Sequence, residues 1–338
     1  MNVLQAVEPN KYMNSTRARF IIPLCSLSVW LTVGGHVFAQ QVADTKFNVA
    51  VSNPAYADKH PRMLFDEAHF NVHTASGGYK PFADLVSNDG CKVTPNPKPF
   101  NAAVLAGADI LVIANARGAA RPAELPAFTD AECDAVRDWV RDGGALLLVT
   151  DHYPIGYANE NLAKRFDVDL SRGTTMDAAH AAPGAGGPSA LLFDRTNQLL
   201  GDHAITRGRD EAERIKQVVT FTGLSLKGPE GSTALLKLSD SATDRMPSPT
   251  VPGQPGLPQA RRRAQGAATN EPQVSAAGRS QGLAMKFGKG RVVVLGEASE
   301  LSAQRAGPQA RAMGMNFPGC DNRQFALNII HWLSGLTD

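Results

Sequence analysis

Two continuously apolar segments flank one amphipathic helix in the first half of the chain. The segments are 108–114 (ADILVIA) and 145–149 (ALLLV), and both have the composition of strands that are buried on both faces. Between them, Thr129 and Glu132 have the spacing of a capping box, which marks the start of a helix that ends at Gly143. This β-α-β order with short turns predicts parallel strands covered by helices on both faces.

The same alternation continues on both sides of this unit. Strands are predicted at 63–65, 92–94, 218–226 and 234–238, and helices at 79–86, 100–106, 159–166 and 322–336. Two further strands, 283–287 and 292–295, are separated by a Gly-rich turn and predict a hairpin. The segment 244–280 is rich in Pro, Gly, Gln and Arg, so we expect a disordered insertion in a single α/β domain that covers 40–338.

Residues 1–39 have the order of a secretory signal peptide. Two arginines precede the apolar segment 20–38, and a Val-Phe-Ala triplet follows as a cleavage site. A retained membrane anchor is the alternative, but two glycines and a histidine interrupt the apolar run before it could span ~30 Å of hydrocarbon. We therefore expect a periplasmic or secreted mature protein that begins at Gln40 and has no membrane span.

Charge and cysteine content exclude several classes of protein. The formal net charge of +2 resides entirely in 1–39, whereas nucleic-acid-binding proteins usually have a basic surplus. Cys91, Cys133 and Cys320 remain after cleavage, so at most one intramolecular disulfide can form, and their spacing does not suit a zinc site. GxSxG, GxCxG, GxGxxG and Walker A motifs are absent, which argues against nucleophile elbows, dinucleotide binding and NTP hydrolysis.

Polar side chains follow three of the predicted strands. They are Asp66, Glu67, His69, Asn71 and His73 after the first, Asp151 and His152 after 145–149, and Glu297 after 292–295. Because ligands of parallel α/β sheets bind beyond the carboxyl ends of the strands, we expect these residues to meet at one edge, with Asn322 bordering the same pocket. Carboxylates and imidazoles suit general acid–base catalysis or a divalent metal. The candidate metal ligands are Asp66, His69, Asp151 and His152.

Each of these residues also has a structural interpretation. An Asp after a strand often caps the next helix, a single His69 or His73 is often structural, and Glu297 could be an ion-pair partner. His203 is expected in a turn that shapes the rim. His331, within the last helix, is expected to make a structural hydrogen bond.

Several segments resemble the class I glutamine amidotransferase-like superfamily. The run DAVRDWVRDGGALLLVTDH resembles its helix–strand–elbow unit, and HAITRG at 203–208 resembles the HPITxG segment of its ThuA-like relatives. The ends, LFDEAHFN and NRQFALNIIHWLSG, are similar to a secreted bacterial branch. The resemblance covers roughly residues 60–338 without the insertion, and it implies a flavodoxin-like three-layer sandwich with a mostly parallel sheet.

The elbow departs from the superfamily pattern. True amidotransferases carry a nucleophilic Cys there, whereas this chain has Thr150-Asp151-His152, and Glu297 falls about where the superfamily His would be. A Cys-dependent glutaminase is therefore not expected.

Two functional hypotheses remain open. One is an exported hydrolase-like enzyme for a small polar metabolite or glycan, with Asp151 or Glu297 as general base, and His152 or His69 as acid or ligand. Asp66 would be an orienting group in that enzyme. The other hypothesis is a non-catalytic ligand-binding protein with the same fold.

Overall fold

The computed structural model describes residues 41–120, 125–247 and 271–338. The predicted signal peptide and most of the predicted insertion lie outside the described residues. Within those ranges, no helix is both long enough and apolar enough to cross a membrane.

Helices and strands alternate through the first half, as expected. The described helices are α1 Lys80–Asn88, α2 Ala102–Leu105, α3 Asp130–Arg141, α4 Ile155–Lys164, α5 Ala204–Arg207 and α6 Asn322–Leu333. The strands of the largest sheet are β2 Arg62–Asp66, β3 Lys92–Asn96, β4 Ile110–Ala114, β5 Ala145–Val149, β6 Asp169–Leu170, β10 Leu226–Lys227, β11 Thr233–Lys237, β14 Ser280–Phe287 and β15 Gly290–Leu295. The remaining strands are β1 Val42–Ala43, β7 Thr174–Met176, β8 Leu192–Asp194, β9 Gln217–Val219, β12 Thr243–Arg245, β13 Gln273–Ser275, β16 Ala303–Ala306 and β17 Arg311–Gly314.

The largest sheet is mixed, which corrects the expectation of a mostly parallel sheet. Its order is β3-β2-β4-β5-β15-β14-β10-β6, with β11 also paired to β14. The five strands from β3 to β15 are parallel, and the others pair antiparallel. The direction changes because β14 and β15 form the predicted hairpin, whose tight turn includes Gly288 in the left-handed region at φ 58°.

Three smaller sheets complete the described structure. Their strand orders are β1-β16-β17, β13-β12-β7 and β8-β9. The segment 218–226, predicted as one strand, is divided between β9 and β10, which belong to different sheets. The segment 244–280, predicted as an insertion, contains part of β12 and all of β13 at its two ends, and residues 248–270 lie outside the described residues.

Helices pack against both faces of the parallel strands. One buried cluster joins alternate strand residues such as Val112 and Leu147 to α1 and α6, and a second joins Leu111 and Leu146 to α3 and α4. This alternation follows from the two-residue period of a strand. The strands are fixed in register by the two cores, and they place the carboxyl ends of β2, β4, β5 and β15 at one edge, here called the carboxyl edge.

Candidate functional site

The carboxyl edge collects the predicted polar residues in two groups. Asp66 ends β2, and Asp151 and Glu297 each lie two residues beyond β5 and β15. We call the first group the His69 cluster (Asp66, His69, Asn71 and Glu132) and the second the His152 cluster (Asn115, Asp151, His152, Glu297 and Glu300).

The His69 cluster is a closed hydrogen-bonded network. His69 Nδ1 lies 2.9 Å from Asp66 Oδ1, and its Nε2 lies 2.9 Å from Glu132 Oε1. The other oxygen of Glu132 accepts from the Thr129 backbone N–H and hydroxyl in the predicted capping box, which is confirmed. Asn71 donates to Asp66 at 3.0 Å. Both imidazole nitrogens therefore face carboxylates.

The electrostatics of His69 indicate a structural role. Burial alone would lower the pKa of His69, but the hydrogen bonds and charges of Asp66 and Glu132 outweigh burial and hold that pKa above its usual 6.5. The ring packs against Phe100 and Phe128 at centroid distances of 4.8 and 4.7 Å. Because both ring nitrogens already bind carboxylates, His69 has no free nitrogen to ligate a metal or to transfer a proton to a substrate.

The His152 cluster centres on a short contact between neighbouring residues. Asp151 Oδ1 lies 2.6 Å from His152 Nδ1 and also accepts from the His152 backbone N–H at 2.7 Å. The second oxygen, Oδ2, accepts from Asn115 Nδ2 at 3.0 Å. The Asp151 side chain is 11% exposed, whereas that of His152 is 36% exposed. Asp151 is thus fixed from three directions, and His152 is the member that reaches solvent.

The ionisable groups of this cluster have displaced pKa values. Burial opposes protonation of His152, but the Asp151 carboxylate, with Glu297 and the Thr222 backbone, raises the pKa of the imidazole above 6.5. Burial and the charge of Asp151 raise the pKa of Glu297 to about 8. The two oxygens of Glu297 accept from the Ser299 and Glu300 backbone N–H groups, each at 2.8 Å. The environment of Glu297 therefore favours its uncharged form.

Two more ionisable side chains that feel the charge of Asp151 are buried. Glu300 is fully buried, and neither of its carboxyl oxygens has a hydrogen-bond partner among the described residues. Burial, together with the charges of Glu297 and Asp151, raises the pKa of Glu300 well above 4.5. His73 is also buried, stacks on Tyr79 at 4.6 Å and has its pKa lowered to about 4 by burial. Burial thus favours the uncharged form of both side chains.

The other predicted residues lie apart from these contacts. Glu67 accepts from the Ala75 backbone, and Asn322 is fully buried, where it bridges the Val219 backbone and the Glu300 carbonyl. His203 caps α5 and packs on Trp332 at 5.0 Å, on the side of Arg291, which lies at the opposite end of β15 from Glu297. It therefore does not shape the rim of the carboxyl edge.

One structural prediction for a histidine is confirmed. His331 Nε2 lies 2.7 Å from Asp89 Oδ2, and both side chains are buried.

Within the part of the chain that the structure describes, neither the candidate metal ligands nor the cysteines are grouped into a site. Among the described residues, no group of three or more His, Cys, Asp or Glu side chains is arranged to hold a metal ion. Cys91, Cys133 and Cys320 are all free. Burial raises the thiol pKa of Cys91 and Cys133 to about 12 and also raises that of Cys320, which disfavours the nucleophilic thiolate form of each.

Comparison with known families accounts for most of the chain. A family model described as a domain of unknown function, DUF4350, matches residues 71–305. The chain belongs to the DUF4350 family. No curated protein sequence matches it.

Solved structures also resemble this DUF4350 chain. The mmIFT52 N-terminal domain is 14% identical, with 80% of this chain and 97% of that chain covered and a TM-score of 0.52, so the two share a fold. A ThuA-like protein from Bacteroides uniformis is 12% identical, with 86% and 95% covered and a TM-score of 0.41. A ThuA-like protein from Parabacteroides merdae is 10% identical, with 82% and 90% covered and a TM-score of 0.40.

Three residues of the His69 and His152 clusters were not selected from the sequence. Asn115 directly follows the apolar strand β4, so the rule that indicated Asp151 would also have indicated it. Glu300 lies three residues after Glu297 in the same polar run. Glu132 was recognised as part of a capping box, but its contact with His69 spans 63 residues and has no sequence signal.

Proposed function

We propose that this chain is an exported protein with a hydrolase-like acid–base site, in which Asp151 orients His152 and His152 transfers the proton. The observation that carries the proposal is the 2.6 Å contact between Asp151 and a partly exposed His152 at the carboxyl edge. The chain would be a member of the amidotransferase-like superfamily that has a flavodoxin-like arrangement but lacks the nucleophilic Cys. A small polar metabolite is the proposed substrate class.

The hydrogen bonds of Asp151 support an orienting role. Its two oxygens are occupied by His152 and Asn115, so the carboxylate holds the imidazole in one tautomer and stabilises its charged form. Glu297, with its raised pKa, supplies an uncharged acid beside this pair. Neighbouring ionisable groups with displaced pKa values are typical of acid–base sites.

Water is the nucleophile in this proposal. The cysteines are free thiols with raised pKa values, and the elbow position holds Asp151. The imidazole of His152 also has a hydrogen bond to the Thr222 backbone, and the exposed ring can take a proton from water once that bond is given up. The residue then returns that proton to the leaving group.

A non-catalytic ligand-binding function is the second candidate. It is favoured by the burial of Glu297 and Glu300, which are 1% and 0% exposed, so a bound ligand would reach His152 before either carboxyl group. Such a protein would bind the same small polar ligands without turnover.

Hydrolysis of para-nitrophenyl esters, phosphates and glycosides tests the proposal. We expect wild-type protein to hydrolyse at least one of them and the His152→Ala variant to lose about 100-fold in kcat/KM, the usual contribution of a general acid–base. Because the pKa of His152 is raised, kcat/KM for the base-catalysed step should increase as the pH passes a value above 6.5.

A matched histidine provides the control for this experiment. His180 Nδ1 lies 2.9 Å from Asp177 Oδ2, and its side chain is 28% exposed, but it lies in a separate short helical turn, Ala178–His180. The His180→Ala variant should retain wild-type activity. Equal activity of wild type and His152→Ala on every substrate would refute the acid–base role and leave ligand binding as the function.

Export is the part of the proposal that concerns 1–39. We expect the mature protein to begin at Gln40, because a positively charged segment, an apolar segment and a Val-Phe-Ala triplet occur in that order. Intact-mass analysis of protein recovered from the periplasm or medium measures this directly. A mass that includes residues 1–39 would contradict cleavage.

A further inference from the structure

Phe70 is an exposed aromatic residue with an unfavourable backbone conformation. The residue is 53% exposed, and its φ is 52°, in the left-handed region that bulky residues rarely adopt. Among the described residues it is the one aromatic in the set of exposed large apolar side chains, and Val72, two residues later, is 41% exposed. Strain of this kind is retained most often at functional sites.

Hydrogen bonds hold Phe70 in this conformation. The His69 carbonyl accepts from the backbone N–H groups of Arg117 and Gly118 at 3.1 and 2.9 Å, and the Phe70 carbonyl accepts from Arg117 Nε at 3.1 Å. The loop is therefore fixed on both sides of Phe70, and the exposed ring is presented by a rigid segment.

The same loop is joined to the His152 cluster. The Val72 backbone N–H donates to the Asn115 carbonyl at 2.9 Å, and the Asn115 side chain donates to Asp151 at 3.0 Å. Two hydrogen bonds thus connect the loop that carries Phe70 to the carboxylate that orients His152. The loop that carries Phe70 therefore borders the proposed site.

Arg117 adds a positive charge beside this loop. Its Nε binds the Phe70 carbonyl, and no carboxylate of the described residues forms an ion pair with its guanidinium. The Asp151 carboxylate is bound by His152 and Asn115. A guanidinium with unused N–H groups is suited to a carboxylate ligand.

We propose that Phe70 and Arg117 bind the substrate of the His152 site and that this substrate is a small carboxylate with a flat apolar ring. The ring stacks on Phe70, and the carboxylate receives hydrogen bonds from the terminal nitrogens of Arg117. This inference rests on the proposed function, because the bound molecule is a substrate only if the His152 site is catalytic. Binding of the molecule does not itself require turnover.

Titration of the purified protein with benzoate, acetate and benzyl alcohol tests this assignment. Measured by calorimetry or ligand-observed NMR, wild type should bind benzoate at least about 10-fold more tightly than either of the other two probes. Phe70→Ala should weaken benzoate about 10-fold and leave acetate unchanged. Arg117→Gln should weaken both carboxylates about 10-fold and leave benzyl alcohol unchanged. Leu336→Ala, another exposed apolar residue, should bind all three as wild type does.

A second substitution separates recognition from structure. Glycine adopts a φ of 52° without steric cost, so Phe70→Gly should melt at the wild-type temperature or above it while it loses benzoate binding. A lower melting temperature together with unchanged benzoate binding would overturn the proposal, and so would a wild type that does not prefer benzoate to acetate. Failure of the proposed function is seen separately, as absence of hydrolysis by a wild type that still binds benzoate through Phe70.

Discussion

The His69→Ala variant should be less stable than wild type by about 3–5 kcal/mol, the cost of removing one partner from a buried ionic network. His69 is the cation between two carboxylates, at 2.9 Å from Asp66 and 2.9 Å from Glu132. Asp66 is fully buried, so without the imidazole its charge would lose its counterion in the interior. Urea unfolding of wild type and variant at about pH 6 measures the difference.

The pH dependence of this effect has a defined sign. The folded-state pKa of His69 is raised above 6.5, so its stabilisation is complete below that value and is lost as the pH increases through the raised pKa. The difference between wild type and His69→Ala should therefore be smaller at about pH 9 than at about pH 6.

An exposed histidine is the control for that variant. His60 is exposed and bonds only the Gly90 carbonyl, at 2.7 Å, among the described residues, so His60→Ala should change stability by less than about 1 kcal/mol. A loss of similar size in both variants would contradict the structural role assigned to the His69 cluster.

The parallel strands were predictable because their local pattern matches their environment. Segments 108–114 and 145–149 are apolar except for Asp109, and the corresponding strands β4 and β5 are buried at every residue. The capping box at Thr129 and the hairpin of β14 and β15 are also confirmed. In each case, neighbouring residues determine the structure, so the sequence signal is local.

The antiparallel strands were harder to predict from the sequence because they depend on partner strands that are distant along the chain. β6 and β10 have two residues each, too few to show any period, and they exist because they pair with each other and with β14. The segment 218–226 looks like one strand, but Thr220 bonds Gln281 and Ser225 bonds Asp244. These two side-chain hydrogen bonds lie where the chain passes from one sheet to another.

The location of the site could be predicted from the sequence, but the contacts between its side chains could not. The strand-end rule put Asp66, Asp151 and Glu297 at one edge, and the structure places them there. The rule could not show that His69 would be bound by Glu132 and enclosed by two phenylalanines, since those contacts join residues from separate helices and loops. Only the tertiary structure distinguishes the buried, structural His69 from the partly exposed His152.

Replacing Glu300 by glutamine should make the protein more stable than wild type at alkaline pH. Glu300 is fully buried, neither carboxyl oxygen has a partner among the described residues, and its pKa is raised well above 4.5 by burial and then by the charges of Glu297 and Asp151. The fold therefore holds this residue as an uncharged acid. Glutamine has nearly the same shape, stays uncharged at all pH values and breaks no described hydrogen bond of the side chain.

The sign of the pH effect follows from the raised pKa. A carboxyl group with a raised folded-state pKa contributes its stabilisation fully below the unfolded value of 4.5, and that contribution is lost as the pH increases through the folded value. Glu297 behaves in the same way, and its shift from 4.5 to about 8 corresponds to a loss of up to about 5 kcal/mol over that interval. Wild-type stability should therefore decrease between about pH 5 and about pH 9.

Chemical unfolding across this pH interval compares wild type, Glu300→Gln and Glu211→Gln, whose side chain is 78% exposed. Glu300→Gln should match wild type at about pH 5 and exceed it by more than about 1 kcal/mol at about pH 9, because the wild type alone must ionise or keep a buried acid there. Glu211→Gln should follow wild type at every pH. Parallel curves for all three proteins would mean that the Glu300 carboxyl is already ionised in the fold, and the uncharged state assigned to the interior of the His152 cluster would then be wrong.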